Sequence, residues 1–449
     1  MKKLWIKNGN KTDKLVDEYC FNEGALLDNN LVTYDVYGSI AHAKMLAEIG
    51  VIDKSEFNKL KTCLVEIIGQ YKKNNFTVNK EDEDVHTKIE NYLSEKLGDL
   101  GKKIHTGRSR NDQILVDLRL YSKEKIIKLA TTINQLIVVF TEFAKKYEFV
   151  PMPGYTHMQK AMPSSVGMWA GSFSEQLLDQ LELLKAIYKL NDQSPLGSGA
   201  AYGVSLPINR ELTAKNLGFS KVQNNSLYCQ ISRVTVQLSI AQSLVQIMLC
   251  ASRFAQDLLL FTTSEFSFFE VDPSICTGSS IMPQKKNLDI MEYVRAKTHM
   301  VIADQQLMSS TITGLPSGYN ADFGQTKGPF MESFEVVLQS IEVLKKTVKI
   351  IKPSVKNLTK ACTSEIYATH FAYKLVTEGV PFRKAYLTIK EGLNKLSAPD
   401  PVLFLKSSDH SGGTNNLKLN LIFKGSHEQE IYWEKIQKKH KKIISSLLS

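Results

Sequence analysis

The chain has 449 residues, 43% hydrophobic and 23% charged, which is too long for one ordinary core and fits two or three. With 56 Lys and Arg against 46 Asp and Glu, its net charge is +10, compatible with a nucleic acid, a membrane surface or an anionic small molecule as partner. Basic residues are not interleaved with aromatics, and no unbroken apolar run approaches the ~20 residues of a membrane span, so neither nucleic acid nor membrane is expected.

The N-terminal Met1-Lys2-Lys3-Leu4-Trp5-Ile6-Lys7-Asn8 is basic with no apolar stretch behind it, so no secretory signal is expected. The six cysteines, Cys20, Cys63, Cys229, Cys250, Cys276 and Cys362, form no CxxC pair. Reduced thiols in the cytoplasm are expected, and a structural zinc site is not.

In chain order, a region of shorter helices is expected over 1–107, long helices over 108–357, and a smaller helical region over 358–449, after Lys352-Pro353. Ile126, Ala130, Ile133, Ile137 and Phe140 recur at steps of four and three. So do Ile240, Leu244, Ile247, Ala251, Phe254, Leu258 and Phe261, and again Phe330, Phe334, Val337, Ile341, Leu344, Val348 and Ile351. That repeat is the seam of a bundle with shallow crossing angles. A further helix near Phe173–Leu190 carries Leu177, Leu181, Leu184 and Tyr188. Helices of about 30 residues reach ~45 Å, which suggests bundles from several subunits merging into one core. Strand signals are weak, with brief alternation at Phe266–Val271, and no GxGxxG follows. The basic run Lys435–Lys442 fits the solvated end of a terminal helix. An all-α chain in three helical domains is predicted.

Four polar or glycine-rich segments lie between the helices: His105–Gln113, Pro153–Lys160, Ser194–Gly203 and Gly278–Asn287. Most are expected at the head of a helix, where free N–H groups and the dipole favour anions. Breaking a C–N bond beside a carboxylate needs a base for the neighbouring carbon's proton, electrostatic support for the dianionic intermediate, and a proton for the leaving nitrogen. The last segment offers Gly278 for close approach, Ser279 and Ser280 as hydroxyls, Lys285 as a fixed charge and Asn287 as an amide donor.

GSSIMPQKKN, from Gly278 to Asn287, resembles the GSSxMPxKxN signature of the fumarase, aspartase and argininosuccinate lyase superfamily. HTGRSRND, from His105 to Asp112, resembles the argininosuccinate lyase version of another shared segment. GYTHMQ from Gly154, LGSGA from Leu196, EDVHT from Glu83 and VPFR from Val380 resemble further family boxes, so the likeness spans most of the chain. It implies that Ser279 takes the Cβ proton. A serine hydroxyl is too weak an acid to serve unaided, so Lys285 and backbone N–H groups of a closed loop would favour its ionisation. Lys285 and Asn287 would hold the substrate carboxylate and stabilise the intermediate. His157 would handle the leaving-group proton with Glu292 as its orienting partner. His86, Ser109, Arg110, Asn111 and Thr156 would grip the carboxylates and the amino-acid end, and Tyr319, Gln325 and Lys327 match further substrate-binding positions. The likeness implies argininosuccinate as a small-molecule substrate, no metal, no organic cofactor, and a homotetramer whose sites draw on three subunits.

Plainer roles remain open for several residues. His42 and His299 are expected to be packed or solvated, Tyr155 to be packing, Glu292 could be an exposed helix residue, and Arg110 could pair with Asp112 or Asp117. Three positions depart from the family pattern: Gly24 where a serine is usual, Ser232 within a stretch that has lost two acidic positions, and Gln325 one position late. All fall where the arginine-like end of the substrate is expected. A sister lyase acting on an N-modified argininosuccinate, a catalytically idle structural homologue and a nucleic-acid-binding protein are the competing readings.

Overall fold

The structure is a computed structural model that describes residues 13–449; Met1–Asn8 lie outside the described residues. So do the side chains of Phe21, Asn22 and Glu23, next to Gly24. Five helices come first: α1 (Lys14–Leu27), α2 (Val32–Glu48), α3 (Lys54–Lys72), α4 (Val85–Leu97) and α5 (Asp99–Lys103). Their starts are set by side chains. Asp53 and Glu56 form a reciprocal capping box at α3, and Asp84 accepts from the Thr87 N–H at α4, satisfying donors a helix leaves free.

The long helices follow. α6 (Arg110–Lys146) has 37 residues and so spans ~55 Å. A hairpin of β1 (Pro151–Thr156) and β2 (Gln159–Ser165) turns the chain into α7 (Val166–Asn191). β3 (Gln193–Ser194), α8 (Arg210–Asn216) and β4 (Lys221–Val222) lead to α9 (Ser226–Phe261), and β5 (Phe269–Glu270) precedes α10 (Asp289–Ile312) and α11 (Lys327–Ile350). After β6 (Lys352–Pro353) come α12 (Val355–Ala361), α13 (Ala368–Thr377), α14 (Phe382–Glu391), α15 (Pro401–Leu405) and α16 (Leu419–Leu448). Among the described residues the strands form three two-stranded sheets: β1–β2, β3–β4 and β5–β6. The chain is predominantly helical, as its periodicity predicts.

Side-chain contacts fix the helix directions. Asn191 at the end of α7 bonds the Arg119 carbonyl near the start of α6, while Thr141 meets Ser174 at 3.1 Å, so α7 is antiparallel to α6. Arg119 also reaches Ser232 near the start of α9, and Phe140 packs on Phe254 at 5.1 Å, so α9 runs parallel to α6. Thr298 against Met248 and Arg295 against Gln256 make α10 antiparallel to α9. α11 runs parallel to α6, with Phe334 at 6.1 Å from Tyr121 and Lys345 on Gln135. The bundle therefore has a head end, where α6, α9 and α11 begin, and a tail end, where they finish.

The seam residues read from the sequence in α6, α9 and α11 are buried in one continuous core. By length and composition α6 and α9 could cross a membrane, and 72% and 61% of their most apolar windows are buried inside the fold. Polar residues interrupt every apolar run, but the central position of these helices keeps their average apolar. α16 returns to the bundle, where Trp433 packs edge-on against Tyr188 of α7 and Ser426 bonds Asn134 of α6. Cys362, Ile366 and Tyr367 form a separate small cluster with Phe371 and Phe404.

Candidate active site

At the head end, Ser109 is the N-cap of α6 and Asp112 completes a capping box with it. Asp112 also accepts from the Gly197 and Gly199 N–H groups at 2.8 and 3.0 Å, which ties the 194–203 segment to the 105–113 segment. Arg110 pairs with Glu83, and with Asp84 at 3.5 Å, rather than with Asp112 or Asp117. The EDVHT box thus docks directly on the start of α6. Asn111 is half-buried beside it.

His86 is buried, with Nδ1 2.5 Å from Asp35 and 3.8 Å from Asp117. Burial opposes its protonation, but the hydrogen bond and charge of Asp35 outweigh that and raise its pKa. No donor reaches either oxygen of Asp117. Burial, followed by the charges of Asp35 and Asp28, lifts its pKa well above the ordinary carboxylate range. Arg108, also buried, donates to Ser39 at 3.0 Å. Atoms of Asp35, His86 and Asp117 lie within 4.8 Å of one another, a metal-like grouping. The hydrogen bond joining two of them and the adjacent Arg108 charge make it an ion-pair cluster instead. His42, buried with its Nε2 2.8 Å from the Thr106 carbonyl, has its pKa pushed down to about 3 by burial and then Arg108. It is a packed neutral residue, as expected.

Lys327, first residue of α11, donates to the Gly24 carbonyl at 2.8 Å and pairs with Asp28. Asp28 in turn accepts from the Val85 N–H at 3.2 Å, so Lys327 joins the His86 neighbourhood. A Cβ at Gly24 would sit 3.9 Å from the Lys327 ammonium, in ordinary van der Waals contact. Tyr319 covers the buried Arg233 guanidinium at 5.5 Å, and Gln325 is exposed nearby in a short 3-10 turn. Ser232 faces inward, accepting from Gln223 at 2.7 Å and donating to the Cys229 carbonyl.

The tail end holds the other residues. Pro153–Lys160, expected at the head of a helix, forms the β1–β2 hairpin. Thr156 pairs with Gln159 across the two-residue turn His157-Met158, whose φ angles are +54° and +61°. That left-handed pair matches the twist of a tight hairpin. Thr156 and His157 are exposed at the tip, and Tyr155 packs between Phe261 and Phe266. The Gly278–Lys286 loop is closed at its base by a Thr277–Asn287 backbone bridge, two bonds of 2.9 Å. Ser279 Oγ accepts from the N–H groups of Met282 (3.1 Å) and Ile281 (3.4 Å). Lys285, Asn287 and Glu292 line a groove of about 1080 Å³ with Arg253 and Asp257 of α9. Among the described residues, no hydrogen bond joins His157 to Glu292 or Lys285 to Ser279.

One chain therefore brings together His86, Ser109, Arg110, Asn111, Tyr319, Gln325 and Lys327 at one end. It brings Thr156, His157, Ser279, Lys285, Asn287 and Glu292 to the other, a helix length of ~55 Å away. The sequence reading missed Asp28 and Asp35 and gave Arg108 and Asp112 no organising role, although the Ser109-x-x-Asp112 spacing of a capping box was there to read.

Residues 7–303 match the family model described as "Lyase". The argininosuccinate lyase of Thermotoga neapolitana is 39% identical over 389 residues, covering 87% of this chain and 98% of that protein. The argininosuccinate lyase of Sorangium cellulosum is 39% identical over 421 residues, covering 93% and 97%. The chain belongs to the argininosuccinate lyase family. A solved EDDS lyase in complex with formate superposes with a TM-score of 0.84 at 20% identity, covering 98% of this chain and 95% of that one, which extends the shared fold to the C-terminal helices. Members of this family are carbon–nitrogen lyases, and the segments read from the sequence are the ones that form the two ends of the bundle.

Proposed function

We propose that the protein cleaves argininosuccinate reversibly to arginine and fumarate, with Ser279 as the base. Ser279 removes the Cβ proton, the C–N electron pair leaves with the guanidino nitrogen, and His157, oriented by Glu292, supplies that nitrogen's proton. Lys285 and Asn287 stabilise the charge that builds on the carboxylate. Ser109, Arg110, Asn111, Thr156, Tyr319, Gln325 and Lys327 hold the remaining carboxylate and the amino-acid end. His86, buried on Asp35, supports this wall from behind. The observation that carries the reading is the pair of backbone N–H groups aimed at Ser279 Oγ, since such donors favour the alkoxide.

The two groups of residues lie at opposite ends of one chain, which supports a working site built jointly by several copies, in the homotetramer that the family resemblance implies. A cytoplasmic location fits the scattered free thiols. No metal or organic cofactor is assigned a role.

Fumarate absorbance should rise when purified protein meets argininosuccinate; no rise from folded protein would sink the proposal. Ser279→Ala should lower kcat by at least about a hundredfold while substrate binding survives. Full turnover in that variant would remove Ser279 from its role. A sister lyase acting on an N-acylated argininosuccinate is the second reading, favoured by glycine at position 24, where the family usually carries a serine. Comparing kcat/KM for the two substrates separates them.

A further inference from the structure

Asp112 has no exposed surface, yet its carboxylate serves two segments 85 residues apart. One oxygen accepts from the Ser109 N–H at 2.8 Å, and the other from Gly197 and Gly199 at 2.8 and 3.0 Å. The glycine loop is shaped for these bonds. Gly197 and Gly199 adopt φ of +85° and +59°, and a Cβ at Gly197 would stand 2.8 Å from Ile208. Arg210 holds the same loop by its carbonyls, donating to Leu196 at 3.0 Å and to Pro195 at 3.3 Å. Further along, the exposed Tyr202 places its hydroxyl 3.6 Å from the Cβ position of Gly318, next to Tyr319.

We propose that Asp112 is a positioning residue that locks the 195–203 loop onto the Ser109–Asn111 turn and so keeps Arg110, Asn111 and Tyr319 in one register around the substrate. This rests on the reading of the head-end residues as substrate contacts. A neutral amide could not replace the carboxylate, because its NH₂ would face an N–H donor on one side or the other. Charged hydrogen bonds of this kind are stronger than neutral ones.

The clamp also carries a pH dependence. Burial raises the Asp112 pKa to about 6, against the pull of the three N–H groups and of Arg108. Arg108 faces it from the preceding turn, and Arg210 stands behind the loop. Asp35, Glu90 and Asp117 share the charge of Arg108 with it. The carboxylate, and with it the full clamp, is present above pH 6 and fades as pH falls through that value.

The test pairs hydrogen exchange at Ser109, Gly197 and Gly199 with steady-state kinetics, in wild type, Asp112→Asn and Asp112→Glu, between pH 5 and 8. In wild type, protection of these amides, corrected for intrinsic exchange, should drop as pH falls below 6, and KM for argininosuccinate should rise over the same range. Asp112→Asn should lose the protection on one side of the clamp, at Ser109 or at Gly197 and Gly199, at every pH and show a KM raised about tenfold and flat with pH, with kcat changed far less. Asp112→Glu should recover part of both. A folded Asp112→Asn that is merely less stable, with unchanged protection and an unchanged KM–pH profile, would overturn the proposal. If that variant does not fold, wild-type protection that is independent of pH across 5–8 would overturn it equally. Failure to release fumarate at all would count against the proposed reaction, while the exchange data would still decide the clamp.

Discussion

His86 and Asp35 carry opposite charges in a place with almost no water, 5% and 2% exposed. Folding raises the pKa of His86 and lowers that of Asp35. The raised histidine contributes stability that is whole below its unfolded value of about 6.5 and is lost as pH climbs through the folded one. The lowered carboxylate contributes stability that is whole above its unfolded value of about 3.9 and is lost as pH falls. Their joint contribution is therefore largest near pH 6. Asp35→Asn removes the partner of a buried histidine and should cost about 3–5 kcal/mol in urea unfolding at pH 6, a cost that shrinks as pH rises through the folded-state pKa of His86. A cost that never declines as pH rises would contradict the ion pair. With its pKa lifted by burial, Asp117 should behave as a neutral acid, and Asp117→Asn should cost about 1 kcal/mol or less in the same measurement. A loss as large as that of Asp35→Asn would mean that Asp117 is ionised.

The hairpin between α6 and α7 is the element least visible in the sequence. Its strands, Pro151–Thr156 and Gln159–Ser165, contain three prolines and no run of β-branched residues, so they lack an ordinary strand signature. The turn is His157-Met158, where glycine or asparagine is the usual occupant of left-handed positions. Tertiary contacts, such as Tyr155 against Phe261 and Phe266, hold the strands there. The long helices were legible because each buries one face continuously, leaving the four-three spacing in the chain. Met158 is 68% exposed at φ +61°, so Met158→Gly should relieve about 1 kcal/mol of backbone strain without touching His157. Thermal unfolding should shift upward by a few degrees at most with kcat unchanged. A clear destabilisation would show that the methionine side chain has a partner in the assembled protein.

At the scale of the molecule, the candidate site residues stand out one by one in the sequence, because each sits in a short segment of unusual composition. How they group does not. Sequence order gives no sign of which end of an antiparallel bundle a loop falls on, and the 105–113 and 153–160 segments, which adjoin the two ends of α6, stand a helix length apart. The buried aspartates that organise the head end were also hidden, since an acidic residue in a helix ordinarily reads as a solvated face. The departure at Gly24 becomes local in the structure. Its carbonyl engages Lys327, and the tail-end loop that carries Ser279 is untouched by it.

The central claim is that a working site needs the head end of one copy and the tail end of another, and mixing two inactive variants tests it most directly. Arg110→Ala damages the head end and Ser279→Ala the tail end. Unfolding and refolding the two together should restore fumarate release well above either variant alone, because some sites then join an intact head to an intact tail. Activity that stays at the level of the separate variants, in a mixture shown to contain both chains in one assembly, would contradict the account.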